Sequence, residues 1–143
     1  MATFNKFDCF TLDVASGKHQ MQSGTTHVYK IYLTNTLPVS TNTVYNTPAD
    51  LSGGNGYTSG GASIGTITGT QTSGVFKLVG ATDPTWTASG GSIGPFRYAV
   101  LYNSTSGTQP LIGWWDYGTN LTLTNGNTFT VDIDQTNGVL TIT

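Results

Sequence analysis

Asp13, His19 and Ser23 are the residue types of a nucleophilic triad, whose chemistry would be acyl transfer. They fall at a predicted helix end and in the loop after it, with no G-x-S-x-G turn to hold a nucleophile. His19 and His27 lie eight residues apart without a carboxylate in zinc-motif spacing, and solvated loop histidines are the expectation. Asp132 and Asp134 in "VDID" are predicted on one face of one strand. With Asp116 they offer three carboxylates to calcium, which takes six to eight oxygens. No calcium-loop signature surrounds them, so a polar strand face that discourages edge pairing is expected, and no metal. The Gly-rich "GGNGYTSGG" lacks the lysine of a phosphate loop. Glycosidases use paired carboxylates that often include glutamate, and this chain has none. The expectation is a protein that is not an enzyme and takes no cofactor.

The remaining chemistry is aromatic. "PLIGWWDYG" places Trp114, Trp115 and Tyr117 within four residues. In a strand, Trp115 and Tyr117 share one face while Trp114 and Asp116 share the other. "PFRYAVLYN" is similar, with Phe96, Tyr98, Val100 and Tyr102 on one side and Ala99 and Leu101 opposite. A sheet that meets water on one face alternates cleanly, and these two strands do not, so both of their faces are expected to be covered. One face belongs to the core, and the other is expected to need a partner. Tyr98, Tyr102, Trp114, Trp115, Asp116 and Tyr117 are therefore the candidate interface or ligand residues. A sugar stacked on Trp114, with Asp116 accepting its hydroxyls, is one such ligand.

Composition sets the frame for these strands. Charged residues make up 8% of 143, against about 25% in ordinary soluble domains. Thr, Ser, Gly and Asn fill the polar positions, which favours strands and turns over helices. The net charge is −2, and the five basic residues are scattered, which speaks against nucleic acid. No apolar stretch approaches membrane-spanning length, and "MATFNKFDCF" lacks a signal-peptide layout. Near-neutral surfaces repel their copies weakly, as suits a subunit made for an assembly. Cys9 stands alone and is expected to be a structural thiol.

One domain is expected over 1–143. Phe4, Phe7, Phe10 and Val14 follow a helical period, predicting a short N-terminal helix with Thr3 as cap and Gly17 as stop, within a helical segment and loop over 1–24. An alternating strand over "CFTLDV" is the rival. "THVYKIYLTN" predicts a strand with Tyr29, Ile31 and Leu33 on one face. Residues 37–61 predict a long, flexible Gly/Thr/Asn-rich loop, with one helical turn at "TPADL". From Ile64 the chain predicts eight short strands. The two aromatic strands are joined by "STSGTQPL", and Asn-Gly turns in "TNGN" and "QTNGV" make the last three strands a meander of two hairpins. The fold class is all-β, an antiparallel β-sandwich of jelly-roll type.

"LIGWWDYG", "ASGGSIGPFRYAVLYN", "HVYKIYLTNTLPV" and the tail "NTFTVDIDQTNGVLTIT" together resemble small virion structural proteins of tailed bacteriophages. The resemblance covers nearly the whole chain and carries no catalytic residues. It implies a capsid decoration, or cement, protein on the virion surface, assembled in the host cytoplasm. Its partners would be copies of itself, most simply as a trimer, and the major capsid protein. The alternative is a tail or fibre protein that binds a host carbohydrate.

Overall fold

A computed structural model describes residues 2–143. The protein is mostly β, with one short helix, and its sheets are antiparallel. The strands are β1 (Phe4–Lys6), β2 (Tyr29–Thr34), β3 (Ala62–Ser63), β4 (Ile67–Thr72), β5 (Val75–Gly80), β6 (Thr85–Thr87), β7 (Ile93–Asn103), β8 (Leu111–Leu123), β9 (Thr128–Thr130) and β10 (Leu140–Ile142), with helix α1 (Cys9–Ala15) after β1. A five-stranded sheet runs β1-β8-β7-β2-β3; β10-β5-β4 and β6-β9 form two smaller sheets.

The main core lies on one face of the five-stranded sheet. Tyr29, Ile31 and Leu33 of β2 point into it, as their alternation requires, with Leu101 of β7 and Ile112 of β8. Leu78 of β5, Trp86 of β6 and Leu140 of β10 belong to the same core. Burying each of these side chains stabilises the fold by about 1.5–3 kcal/mol.

β7 and β8 pair as the predicted hairpin, but not in simple register. Leu101 faces Gly113 while the next residue, Tyr102, faces Leu111, so β8 holds one extra residue at that step. The bulge lets Leu111 and Trp114 face one side of the sheet and Ile112 and Trp115 the other. A second irregularity lies between Phe96↔Leu121 and Tyr98↔Asp116, and it turns Phe96 into the core with Ala99 and Leu101. The single-sided row Phe96–Tyr98–Val100–Tyr102 expected from alternation is therefore broken at its start.

Three local expectations are corrected. Helix α1 begins at Cys9, not near Thr3, and its preceding residue Asp8 makes no side-chain cap bond. Phe4 sits instead in β1 opposite Trp115. "TPADL" forms no helical turn; Asn46 Oδ1 accepts the Asp50 N–H there. The last strands are no meander: "NLTLT" continues β8, β9 pairs with β6, and β10 pairs with β5. Their Asn-Gly turns form locally but deliver the chain to distant strands.

The close approach of β1 to β8 depends on Gly113. A Cβ there would lie 2.2 Å from the Phe4 ring and 2.7 Å from the Asn5 carbonyl oxygen. Gly113→Val is expected to unseat β1 at a cost of about 2 kcal/mol, read as a lower denaturant midpoint with an unchanged slope.

Candidate functional site

The second face of the aromatic strands is covered by the chain itself. Phe7, Tyr32, Val100, Tyr102 and Leu111 form a second buried cluster, with Cys9, Tyr45 and Trp114 packed against it. Phe7 meets Trp114 with ring centroids 4.5 Å apart, and Tyr45 stacks on Tyr102 at 4.9 Å. The expectation that this face needs a second molecule is corrected: Phe7 between β1 and α1, the start of α1 and the 37–61 loop supply the cover. The backbone fixes them there. Phe7 N–H donates to the Ile112 carbonyl, Leu111 N–H to Thr43, and Tyr45 N–H to Gln109. Segment and loop thus occupy the outer edge of β8 as well as its face.

The 37–61 loop is not a free tether. Asp50 accepts hydrogen bonds from the Tyr45 hydroxyl, the Tyr57 hydroxyl and the Gly60 N–H. The Tyr57 hydroxyl in turn accepts from the Leu33 N–H of β2, 2.9 Å away. Tyr32 donates to the Pro48 carbonyl and Tyr102 to the Gly60 carbonyl, each at 2.8 Å. Burial pushes the Tyr57 phenol far above its ordinary value, and the adjacent Asp50 pushes it further. Burial, followed by Asp50, raises Tyr102 to about 12. These phenols stay protonated, as donors must.

The six candidate residues are divided by the sheet. Tyr98 and Tyr102 are buried, so neither presents a free ring. Trp114 is half-buried against Phe7. Trp115 and Tyr117 share the opposite side, as alternation requires, and Tyr117 is 54% exposed. Asp116 is held in a bidentate pair by Arg97, Nε to Oδ1 at 2.8 Å and Nη2 to Oδ2 at 3.0 Å, and also accepts the Gly118 N–H. The Arg97 bonds hold the Asp116 carboxyl below the usual carboxylate range. Trp115, Tyr117 and Arg97 line a cleft with Phe129, Val131 and Asp132. Sequence reasoning missed Arg97, Phe129 and Asp132 as members of this cleft. Arg97, the chain's single arginine, set inside an aromatic strand, was the available signal.

The other candidates go separate ways. Asp13 pairs with Lys18 at 2.8 Å, and the Ser23 hydroxyl exchanges hydrogen bonds with the backbone of Gly69. His19 is buried between Phe10 and Tyr29, correcting its expected solvated position. Its Nδ1 lies 3.4 Å from the Asn103 amide nitrogen, and its Nε2 has no hydrogen-bond partner among the described residues. Asp13, His19 and Ser23 make no hydrogen bond to one another among the described residues. Asp132 and Asp134 do not share a strand face, because β9 ends at Thr130. Asp134 has φ 49° and accepts the Thr136 and Asn137 N–H groups, making a turn. Among the described residues no group of three or more His, Cys, Asp or Glu side chains could hold a metal ion, and no helix is long and apolar enough to cross a membrane. Burial raises the Cys9 thiol to about 11, so it is not a ready nucleophile.

Comparison with protein-family models, curated proteins and solved structures gives no match to this chain.

Proposed function

We propose that the chain is a non-enzymatic structural subunit of a tailed-phage virion, a capsid decoration protein that assembles with its copies as a trimer on the major capsid protein. In this reading the sheets close the core as a jelly-roll-like sandwich. The observation that carries the proposal is an aliphatic surface on the chain's own cover. Leu12 of α1 is 70% exposed, and Leu37 and Val39 in the adjoining loop are 64% and 53% exposed, with Val44 also exposed. Helix and loop are tied together: Asp8 N–H donates to the Ser40 carbonyl at 2.9 Å, and the Ser40 hydroxyl donates to Asp8 Oδ2. Leu12 lies one turn beyond Asp8, on the side of α1 that meets the loop.

The aromatic layer is thus sealed, and the cover that seals it carries large aliphatic side chains outward. Water favours burying such side chains against another molecule. Scarce charge on the chain removes the usual opposition to self-association. A subunit that binds the assembled shell more tightly than its separated parts stabilises the shell by mass action.

The test uses phage shells that lack the protein. Added wild type is expected to bind them and raise their disruption temperature. Leu12→Lys with Val39→Lys, folded by circular dichroism, is expected to bind at least about tenfold more weakly. Shells indifferent to the wild-type protein would overturn the reading.

A further inference from the structure

The cleft beside Tyr117 lies on the side of the five-stranded sheet opposite the Trp114 cover. It has a volume of about 160 Å³ and is lined mainly by Trp115, Tyr117, Phe129 and Val131, with Arg97 and Asp132 as its charged members. A closed cavity near 150 Å³ holds benzene, so this open cleft has room to seat one face of a six-membered ring. Tyr117 meets Phe129 edge-to-face at 5.7 Å, and Phe96 supports Phe129 from the core in the same way at 5.0 Å. That packing holds an exposed ring in a fixed attitude, which lowers the entropy lost when something stacks on it.

We propose that this cleft binds one neutral pyranose ring, a hexose or its N-acetyl derivative. The polar groups select for it. Arg97 spends two of its N–H donors on Asp116, which also cancels its charge. A guanidinium has five such donors, so others are left to meet sugar oxygens. Asp132 is exposed and accepts only the Asp134 N–H among the described residues, on Oδ1. Its second oxygen is an ionised acceptor for a hydroxyl, the stronger kind of hydrogen bond. Among the described residues Asp132 is also the unmatched charge of the cleft, and it disfavours acidic or sulfated sugars. A purely apolar side chain from a protein partner would strip water from Arg97 and Asp132 without replacing its hydrogen bonds. A pyranose presents C–H groups to the rings and hydroxyls to both charged groups, which is the usual division of labour in a ligand pocket. The sequence-based pairing of Trp114 with Asp116 is replaced by Tyr117 and Trp115 with Arg97 and Asp132. This inference does not rest on the virion role.

The test is a nuclear magnetic resonance titration with methyl glucoside, galactoside, mannoside and N-acetylglucosaminide, with methyl glucuronide as the acidic comparison. A saturating shift is expected with at least one neutral glycoside, confined to residues 96–99, 115–117 and 129–132. Tyr117→Ala, which removes an exposed ring and leaves the core intact, is expected to weaken binding about tenfold. Asp132→Asn is expected to weaken the neutral sugar and narrow its advantage over the glucuronide. Parallel capture on a neutral polysaccharide distinguishes a polymer-borne ring from a free one; binding of either supports the cleft. No saturable shift up to roughly 50 mM would overturn the proposal, 1 mM already being a weak affinity of about −4 kcal/mol. So would binding that Tyr117→Ala leaves unchanged, or a preference for the glucuronide.

Discussion

Asp50→Ala is expected to lower the unfolding free energy by about 4 kcal/mol, the largest loss from any single side chain in the cover. Three donors converge on that carboxylate: two phenols and the Gly60 N–H. Hydrogen bonds to a charged group contribute about 1.5–3 kcal/mol each, and buried donors left unpaired add their desolvation cost. Tyr57 is buried, so its hydroxyl cannot turn to water. The alanine variant releases the loop from β2 through the Leu33 N–H, from Tyr102 through Gly60, and from Tyr32 through Pro48. Tyr57→Phe isolates one strand of that network and is expected to cost about 2 kcal/mol, mostly from the orphaned Leu33 N–H and the lost Asp50 bond. Calorimetry and denaturant melts measure both. An Asp50→Ala protein within about 1 kcal/mol of wild type would mean that Tyr45 and Tyr102 hold the loop by packing alone.

Stability is expected to fall by roughly 3 kcal/mol as pH drops from about 6.5 to about 4, through His19. Burial of the ring is the main cause of its lowered pKa, with His27 and Lys18 acting the same way and Asp13 opposing them. In that window the unfolded chain takes up a proton that the folded chain refuses, so each step toward acid favours unfolding. Above 6.5 the ring is neutral in both states and contributes no slope; below about 4 both states carry the proton and the slope ends. Asp116 and Asp134, whose pKa values are also lowered, lose their contributions only below the ordinary 3.8, so the two effects separate on the pH axis. His19→Phe keeps an aromatic ring between Phe10 and Tyr29 and removes the unpartnered Nε2. It is expected to match wild type at pH 7 and to flatten the profile between 6.5 and 4. Urea melts across that range decide it, and a variant with the wild-type slope would assign the slope elsewhere.

The class of fold was legible because it rests on local chemistry. Threonine-rich alternation, turn residues and two aromatic strands joined by a short connection all carry their meaning within a few residues. The faces of β2 followed from period two alone. What escaped was long-range or bulged. Phe4 and Phe7, three apart, suit one face of a helix, but in an extended chain crossing a sheet edge they serve opposite sides: Phe4 packs on the core and Phe7 on the Trp114 cluster. The extra residue at Ile112 leaves no mark in composition, yet it decides which side each neighbour faces. Strands β9 and β10 find partners tens of residues away, so their Asn-Gly turns could not reveal the pairing. The cover was hidden for the same reason. Nothing near Asp50 announces that Tyr45 and Tyr57 will share its carboxylate, although a buried tyrosine always asks where its hydroxyl is satisfied. The two-sided aromatic pattern pointed to a cover over the Trp114 face; it could not reveal that this cover comes from the same chain.

Sedimentation equilibrium of the wild-type protein, beside Leu12→Lys with Val39→Lys, tests most directly whether the aliphatic cover is an assembly seam. The wild type is expected to associate reversibly at micromolar concentration, with a trimer as the limiting species, and the double variant to sediment as a folded monomer of about 15.1 kDa. A wild type that stays at 15.1 kDa across the full concentration range would contradict it.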